Sequence, residues 1–271
     1  MRLLIFGLGY SAARIAALAE ARGAVVTGTT RDGRDGTLRF DAADAALAAA
    51  THVLSSVPAD DGGDPVLARY GAALGGKALA YLSSTGVYGD TGGAWVDETA
   101  AIGGRRPARA AADRAWLARG ARVFRLPGIY GPGRSALDRA AAGEGRQVGG
   151  AGVFSRIHVD DLAAGVWAGL DAPPGAYNLA DDLPAHADVV ARFAATLLGL
   201  PEPPLVPLDR LSPAARGFHG ENRRVAAAKA KRVLGWTPRY PDYRAGLRAV
   251  SAIASPTATS TAPAAASVVQ R

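Results

Sequence analysis

The run Arg2-Leu3-Leu4-Ile5-Phe6-Gly7-Leu8-Gly9-Tyr10-Ser11-Ala12 decides how the rest of the chain is read. Four consecutive apolar residues, Leu3 to Phe6, suit a strand buried on both faces, as in a parallel sheet. Two glycines follow, and the stretch 11–21 is rich in Ala and Leu and reads as a helix. Gly7 permits a tight turn after the strand, Gly9 lets the backbone approach a ligand, and Ala12 is small enough for the helix to pack on the sheet. A helix N-terminus here presents free N–H groups and the positive end of its dipole to an anion. Gly-x-Gly-x-x-Ala alone is a weak signal that an ordinary tight turn would also satisfy. Its place between a buried strand and a helix makes Gly7, Gly9, Tyr10, Ser11 and Ala12 candidates to cradle a dinucleotide pyrophosphate.

Outward from this turn the alternation continues. Strands are expected at 24–29, 52–57, 78–83 and 122–126, with helices at 44–50, 65–74 and 105–120. Such alternation calls for a parallel sheet with helices on both faces, an α/β fold of the doubly wound Rossmann type. After about residue 130 the pattern loosens. Helices are expected at 157–171, entered through Asp160-Asp161, at 187–198, stopped by Gly199 and Pro201, and at 222–234, ended by Gly235. A short strand is expected at 177–179. The expectation is a single domain over residues 1–250, with a small C-terminal substrate lobe built from segments after about 130. Residues 251–271, mostly Ala, Ser, Thr and Pro, read as a disordered tail.

Bulk properties narrow the function classes. Of the 271 residues 49% are hydrophobic and 20% charged, enough for a packed core. There is no cysteine, which excludes disulfides, cysteine nucleophiles and thiolate metal sites and is compatible with a reducing cytoplasm, the expected location. No apolar run approaches the roughly 20 residues of a membrane span, and the N-terminus lacks the long apolar region of a signal peptide. The net charge of +7 is carried almost wholly by arginine, since lysine occurs only at Lys77, Lys229 and Lys231. The charge is scattered, without a basic tract interleaved with aromatics, so an anionic cofactor is a better reason for it than nucleic acid. The histidines show no metal-ligand spacing. The expected partner is a small-molecule substrate, with no nucleic acid or membrane; self-association is left open.

The end of the second expected strand bears on the cofactor. NAD binders usually place an acid there to accept the ribose 2′-hydroxyl. This chain has Thr27-Gly28-Thr29-Thr30-Arg31 instead. Arg31 offers a guanidinium fork for a 2′-phosphate and Thr30 a hydroxyl, which favours NADP over NAD. A solvated loop arginine would look the same. Further on, Ser83-Ser84-Thr85-Gly86-Val87-Tyr88-Gly89-Asp90 ends a strand in three hydroxyls and a tyrosine, where ligands of open α/β sheets bind. Turn chemistry alone could account for those hydroxyls.

Together with Arg125-Leu126-Pro127-Gly128-Ile129-Tyr130-Gly131-Pro132-Gly133-Arg134, Arg156-Ile157-His158-Val159-Asp160-Asp161, Tyr177-Asn178-Leu179 and Leu234-Gly235-Trp236-Thr237-Pro238, these motifs give a chain that resembles an extended or atypical short-chain dehydrogenase/reductase of the NAD(P)-dependent epimerase/dehydratase type. The resemblance covers about residues 1–250. It implies Ser84, with Thr85 beside it, as the catalytic hydroxyl; for the proton carrier, Tyr88 or Tyr130 would have to stand in for the family's own tyrosine. It places Val57, Pro58, Pro127 and Gly128 at the cofactor, and Tyr130, Arg134 and Arg156 on the substrate side. The implied activity is that of an NADP-dependent oxidoreductase or epimerase/dehydratase-like enzyme on a polar small molecule, a sugar derivative among the candidates.

One departure stands against this. The family uses Tyr-x-x-x-Lys on a long helix, and no tyrosine of this chain has lysine four residues later. Aligning Asp113 with the family's helix acid puts Arg105 at the tyrosine position and Arg109 at the lysine position. Arg109 could hold a ribose or phosphate, but arginine stays protonated near neutrality and is no general acid or base. A dinucleotide-binding sensor or assembly module without redox turnover is therefore the alternative. His158 reads mainly as a packing residue at a helix entrance.

Overall fold

Strand β1 (Arg2–Phe6) is buried from Leu3 to Phe6 in the computed structural model, which describes residues 1–150 and 152–254. Its side chains alternate between two cores, as the period of a strand requires. Leu3 and Ile5 point to one cluster and Leu4 and Phe6 to another. Six further strands join it: β2 (Val25–Thr30), β3 (Leu38–Arg39), β4 (His52–Ser55), β5 (Ala78–Ser84), β6 (Arg122–Leu126) and β7 (Gly175–Asn178). All pair in parallel, in the order β7-β6-β5-β4-β1-β2-β3. The chain winds outward from β1 to β3, returns through β4 and proceeds the other way. This is the doubly wound order, and its switch point between β1 and β4 opens a crevice at the carboxyl ends of the strands.

The helices are α1 (Tyr10–Ala21), α2 (Asp44–Ala49), α3 (Pro65–Tyr70), α4 (Pro107–Ala118), α5 (Ala136–Ala141), α6 (Val159–Gly169), α7 (Ala187–Leu197), α8 (Pro213–His219), α9 (Ala228–Leu234) and α10 (Tyr243–Ala254). Ala12 and Ile15 of α1 and Leu162 and Val166 of α6 fill the cluster under Leu3 and Ile5. On the opposite face Trp116 of α4 stacks on Tyr81 of β5 with ring centres 5.5 Å apart. The Trp116 indole N–H donates to Asp64, whose other carboxylate oxygen caps α3. The later segments build a core of their own from Tyr130, Leu137, Val190, Tyr243 and Leu247.

Several boundaries differ from the expectation. The helix expected from 157 starts at Val159, because Arg156–His158 pairs with Gly128–Tyr130 as a short parallel strand. Asp160 and Asp161 are not its cap. His158 is, with Nδ1 accepting the Asp160 N–H, while Asp161 turns inward to accept the N–H groups of Arg239 and Tyr240 at 2.7 and 3.0 Å. The helix expected from 222 starts at Ala228, since Arg224–Val225 pairs with Trp95–Val96. The helix expected from 105 starts at Pro107, a residue suited to the first helical position, so Arg105 lies outside it. Residues 251–254, assigned to the tail, belong to α10, and 255–271 lie outside the described residues. Helices α5, α8 and α10 were not expected from the sequence.

Candidate functional site

The glycine turn has the geometry that close approach of an anion demands. Gly7 sits at φ +83°, where a Cβ would also come 3.0 Å from Cγ2 of Val57. A Cβ on Gly9 would meet nothing within 4 Å, so open space lies before this backbone. Gly9 caps α1 without a side chain, which leaves the first-turn N–H groups to an external partner. Ala12 is fully buried against the sheet. Tyr10 reaches across instead, its hydroxyl donating to the Pro132 carbonyl at 3.1 Å and its ring lying under the Arg134 guanidinium. Pro58 is exposed beside Val57.

At the tip of β2 the Thr30 hydroxyl is built into the loop. It accepts the N–H groups of Gly33 and Arg34 and bonds the Thr37 hydroxyl at 2.7 Å. Arg31 is exposed and forms no ion pair among the described residues. Thr30 thus shapes the turn that displays Arg31.

The end of β5 separates its hydroxyls. Ser83 is buried and donates to Asp113 of α4 at 2.6 Å. Ser84 caps the turn after the strand by accepting the Gly86 N–H at 3.1 Å. Ser84 stands opposite Leu126 in the register of β5 and β6, so Thr85 and Pro127 extend side by side beyond the sheet. A small cavity of about 80 Å³ lies there, lined by Ser84, Thr85, Pro127, Gly128, Phe154, Ser155, Glu221 and Arg223.

Tyr88 is not among them. Its hydroxyl donates to Asn178 at 2.8 Å and accepts from Arg125 at 3.0 Å, and burial raises its pKa. Arg125 in turn forks onto Asp113 with bonds of 3.1 and 2.8 Å. This buried network ties β5, α4, β6 and β7 together, and Tyr88 is one of its structural members.

Arg109 is half-buried near the Tyr81 hydroxyl and lines neither cavity described here. Arg105 donates from Nε to Glu221 at 2.7 Å, and Glu221 also holds Arg223, which bonds the Gly89 carbonyl. The two cations and one carboxylate form a chain at the small cavity's wall. Glu221 and Arg223 were not singled out from sequence: Glu221 fell outside the expected elements and Arg223 inside the helix expected at 222–234.

A second cavity of about 500 Å³ adjoins the first, and the two share Pro127, Gly128 and Phe154. Tyr130, Arg134 and Arg156 line it as expected residues, and Arg139, Arg146 and His219 as unexpected ones. Arg139 stands on α5, which starts at a capping box. Ser135 accepts the N–H groups of Leu137 and Asp138, and Asp138 accepts that of Ser135 at 2.6 Å. The Ser-x-x-Asp spacing was the available signal. Arg156 is buried, donates to the Phe154 and Ala185 carbonyls and is pushed down to about 10 by desolvation. Burial, and then Arg146, Arg139 and Arg156, hold His219 below the usual imidazole range. Burial likewise raises Tyr130, and it lifts Asp181, close to Arg156, to about 8. Among the described residues no helix is long and apolar enough to cross a membrane.

A conserved, functionally unknown protein from Silicibacter pomeroyi DSS is 41% identical, with a TM-score of 0.86 over 93% of this chain and 98% of that one. The chain belongs to one family with that protein, within the epimerase/dehydratase-like short-chain dehydrogenase/reductase fold. A human epimerase family protein solved with NADPH has the same fold at 19% identity, with a TM-score of 0.71 over 93% of this chain and 99% of that one. A 3-diazoavenalumate denitrifying reductase from a Streptomyces species is 33% identical over 138 residues. That match spans 46% of this chain and 45% of the relative, so the chain covers less than half of the relative's length. No family model matches the chain.

Proposed function

We propose that this protein is an NADP-preferring oxidoreductase that reduces a small polar molecule at the carboxyl edge of its sheet. One observation carries the reading: Ser84 and Thr85 meet Pro127 and Gly128 at a single cavity on the sheet edge that also carries the glycine turn. The chain fits the cofactor. Gly7, Gly9 and the start of α1, with Ser11 in its first turn, would hold the diphosphate. Arg31 would take the 2′-phosphate as a fork, and Val57, Pro58, Pro127 and Gly128 would flank the rest. When bound in its reduced form the cofactor supplies a hydride. The chain's own residues do the remainder. Ser84 and Thr85 orient the acceptor, and Arg223, fixed by Glu221 and the Gly89 carbonyl, offsets negative charge that develops on it. One proton from water completes a two-electron reduction. The Streptomyces relative is a reductase by name, which supports the reductive direction.

A sensor without turnover is the second reading, favoured by Arg105 tied to Glu221 where the family has its tyrosine. Fluorescence titration with NADPH and NADH, then NADPH oxidation against carbonyl and aryl-diazonium acceptors, separates the two. The expected result is micromolar NADPH binding and turnover that falls at least tenfold in Ser84→Ala/Thr85→Val. Binding without oxidation of any acceptor would establish the sensor, and failure to bind either nucleotide would remove both readings.

A further inference from the structure

We propose that the larger cavity is an oxyanion site for an acceptor with an apolar body, such as an aromatic carboxylate. The proposal rests on the reading that an acceptor is reduced in the adjoining small cavity, and it names the class of that acceptor.

Charge is the first ground. Arg134, Arg139, Arg146 and Arg156 line the cavity, against Glu144 as the one acid in its lining. Among the described residues Arg134, Arg139 and Arg146 form no ion pair with a carboxylate. Arg156 likewise makes no ion pair among the described residues; Asp181 is the carboxyl with the largest charge influence on it, and burial raises that carboxyl to about 8. Guanidinium groups that share one cavity repel one another, and an oxyanion that accepts from two of them relieves that cost.

Preorganisation is the second ground. The capping box fixes the helix that bears Arg139, two backbone carbonyls and the Phe154 ring hold Arg156, and the Tyr10 ring carries Arg134. Arg134 and Arg156 therefore stand on supports that are not carboxylates. The remaining walls are the third ground. Val148, Val190, Tyr243 and Leu247 are apolar or aromatic, and all are buried in the lobe. Such walls suit a hydrocarbon or ring better than a hydroxyl-rich sugar, and about 500 Å³ holds a small organic molecule. Through Pro127, Gly128 and Phe154 that molecule reaches the hydroxyls of Ser84 and Thr85.

Calorimetric titration of the full chain, with and without saturating NADPH, tests this with benzoate, phenyl phosphate, benzyl alcohol and uridine diphosphate as probes. Benzoate or phenyl phosphate should bind at least tenfold more tightly than benzyl alcohol, and their relative affinities report whether carboxylate or phosphate is preferred. Arg139→Gln/Arg146→Gln should lose at least tenfold in that affinity with NADPH binding unchanged, and Arg139→Lys/Arg146→Lys should recover part of it. Equal binding of benzyl alcohol, indifference to the double variant, or uridine diphosphate as the one probe that binds would each overturn the proposal. Anion binding in a protein that binds no nucleotide would leave the site standing and remove the reductase reading.

Discussion

Arg125 and Arg139 belong to two regions that use the same residue type in opposite ways. Arg125 is 2% exposed and meets a buried carboxylate fork, a tyrosine hydroxyl and a backbone carbonyl. Removing one member would strand the others away from water. Arg139 lines an open cavity and has no carboxylate of its own among the described residues. A structural arginine is recognised by complete internal partnership, and an arginine of a binding site by a partner the chain does not supply. An arginine-rich composition hides this difference, because both kinds read identically along the chain.

The contrast can be broken by mutation. Asp113→Ala should cost about 3–5 kcal/mol in urea unfolding, since it leaves Arg125 buried and unpaired. Asp113→Leu combined with Arg125→Met should recover most of that loss. A cost near that of a surface substitution would dissolve the distinction. Asp181 offers a second, pH-dependent effect. Burial raises its folded carboxyl to about 8, above an unfolded value of about 3.9. Between those values the folded state holds a proton that the unfolded state has released, so stability falls as pH rises through this window and levels off above it. Asp181→Asn should flatten that decline in melting temperature from pH 5 to 8; an unaltered slope would show that other groups set it.

Smaller effects sharpen the other side. Arg139→Gln/Arg146→Gln should leave unfolding stability within about 0.5 kcal/mol, as at surface positions without partners. A loss of several kcal/mol would class these arginines with Arg125. Arg31→Asp should weaken NADPH about tenfold, or ~1.4 kcal/mol, with NADH unchanged. An equal loss for both nucleotides would remove the preference for NADP.

The parallel sheet and its flanking helices were legible because hydrophobic runs and glycine turns are local signals. The strand from Leu3 to Phe6 and the helix over Ala12 and Ile15 follow from their own residues. The misreadings arose where distant chain decided. Arg156–His158 became a strand through Gly128–Tyr130, and the entry to α9 was displaced by pairing with Trp95–Val96. The site was half legible. Ser84, Thr85, Pro127 and Gly128 lie where the motif order put them, whereas Tyr88 drew attention by type and is spent on Asn178 and Arg125. Glu221, Arg223, Arg139 and Arg146 come from segments whose placement only the tertiary structure supplies.

The position of β7 carries a consequence for how the protein is made. Gly175–Asn178 completes the edge beyond β6, but α5 and α6 are threaded between these two strands in the chain. During synthesis β6 therefore emerges with an unpaired flank, including Phe124, until Tyr177 arrives to lie beside it. An open strand flank of this kind invites pairing with another chain. Truncations that end between residues 127 and 174 would leave that flank uncovered, and aggregates seeded by Val123 and Phe124 are the expected fate of interrupted translation products.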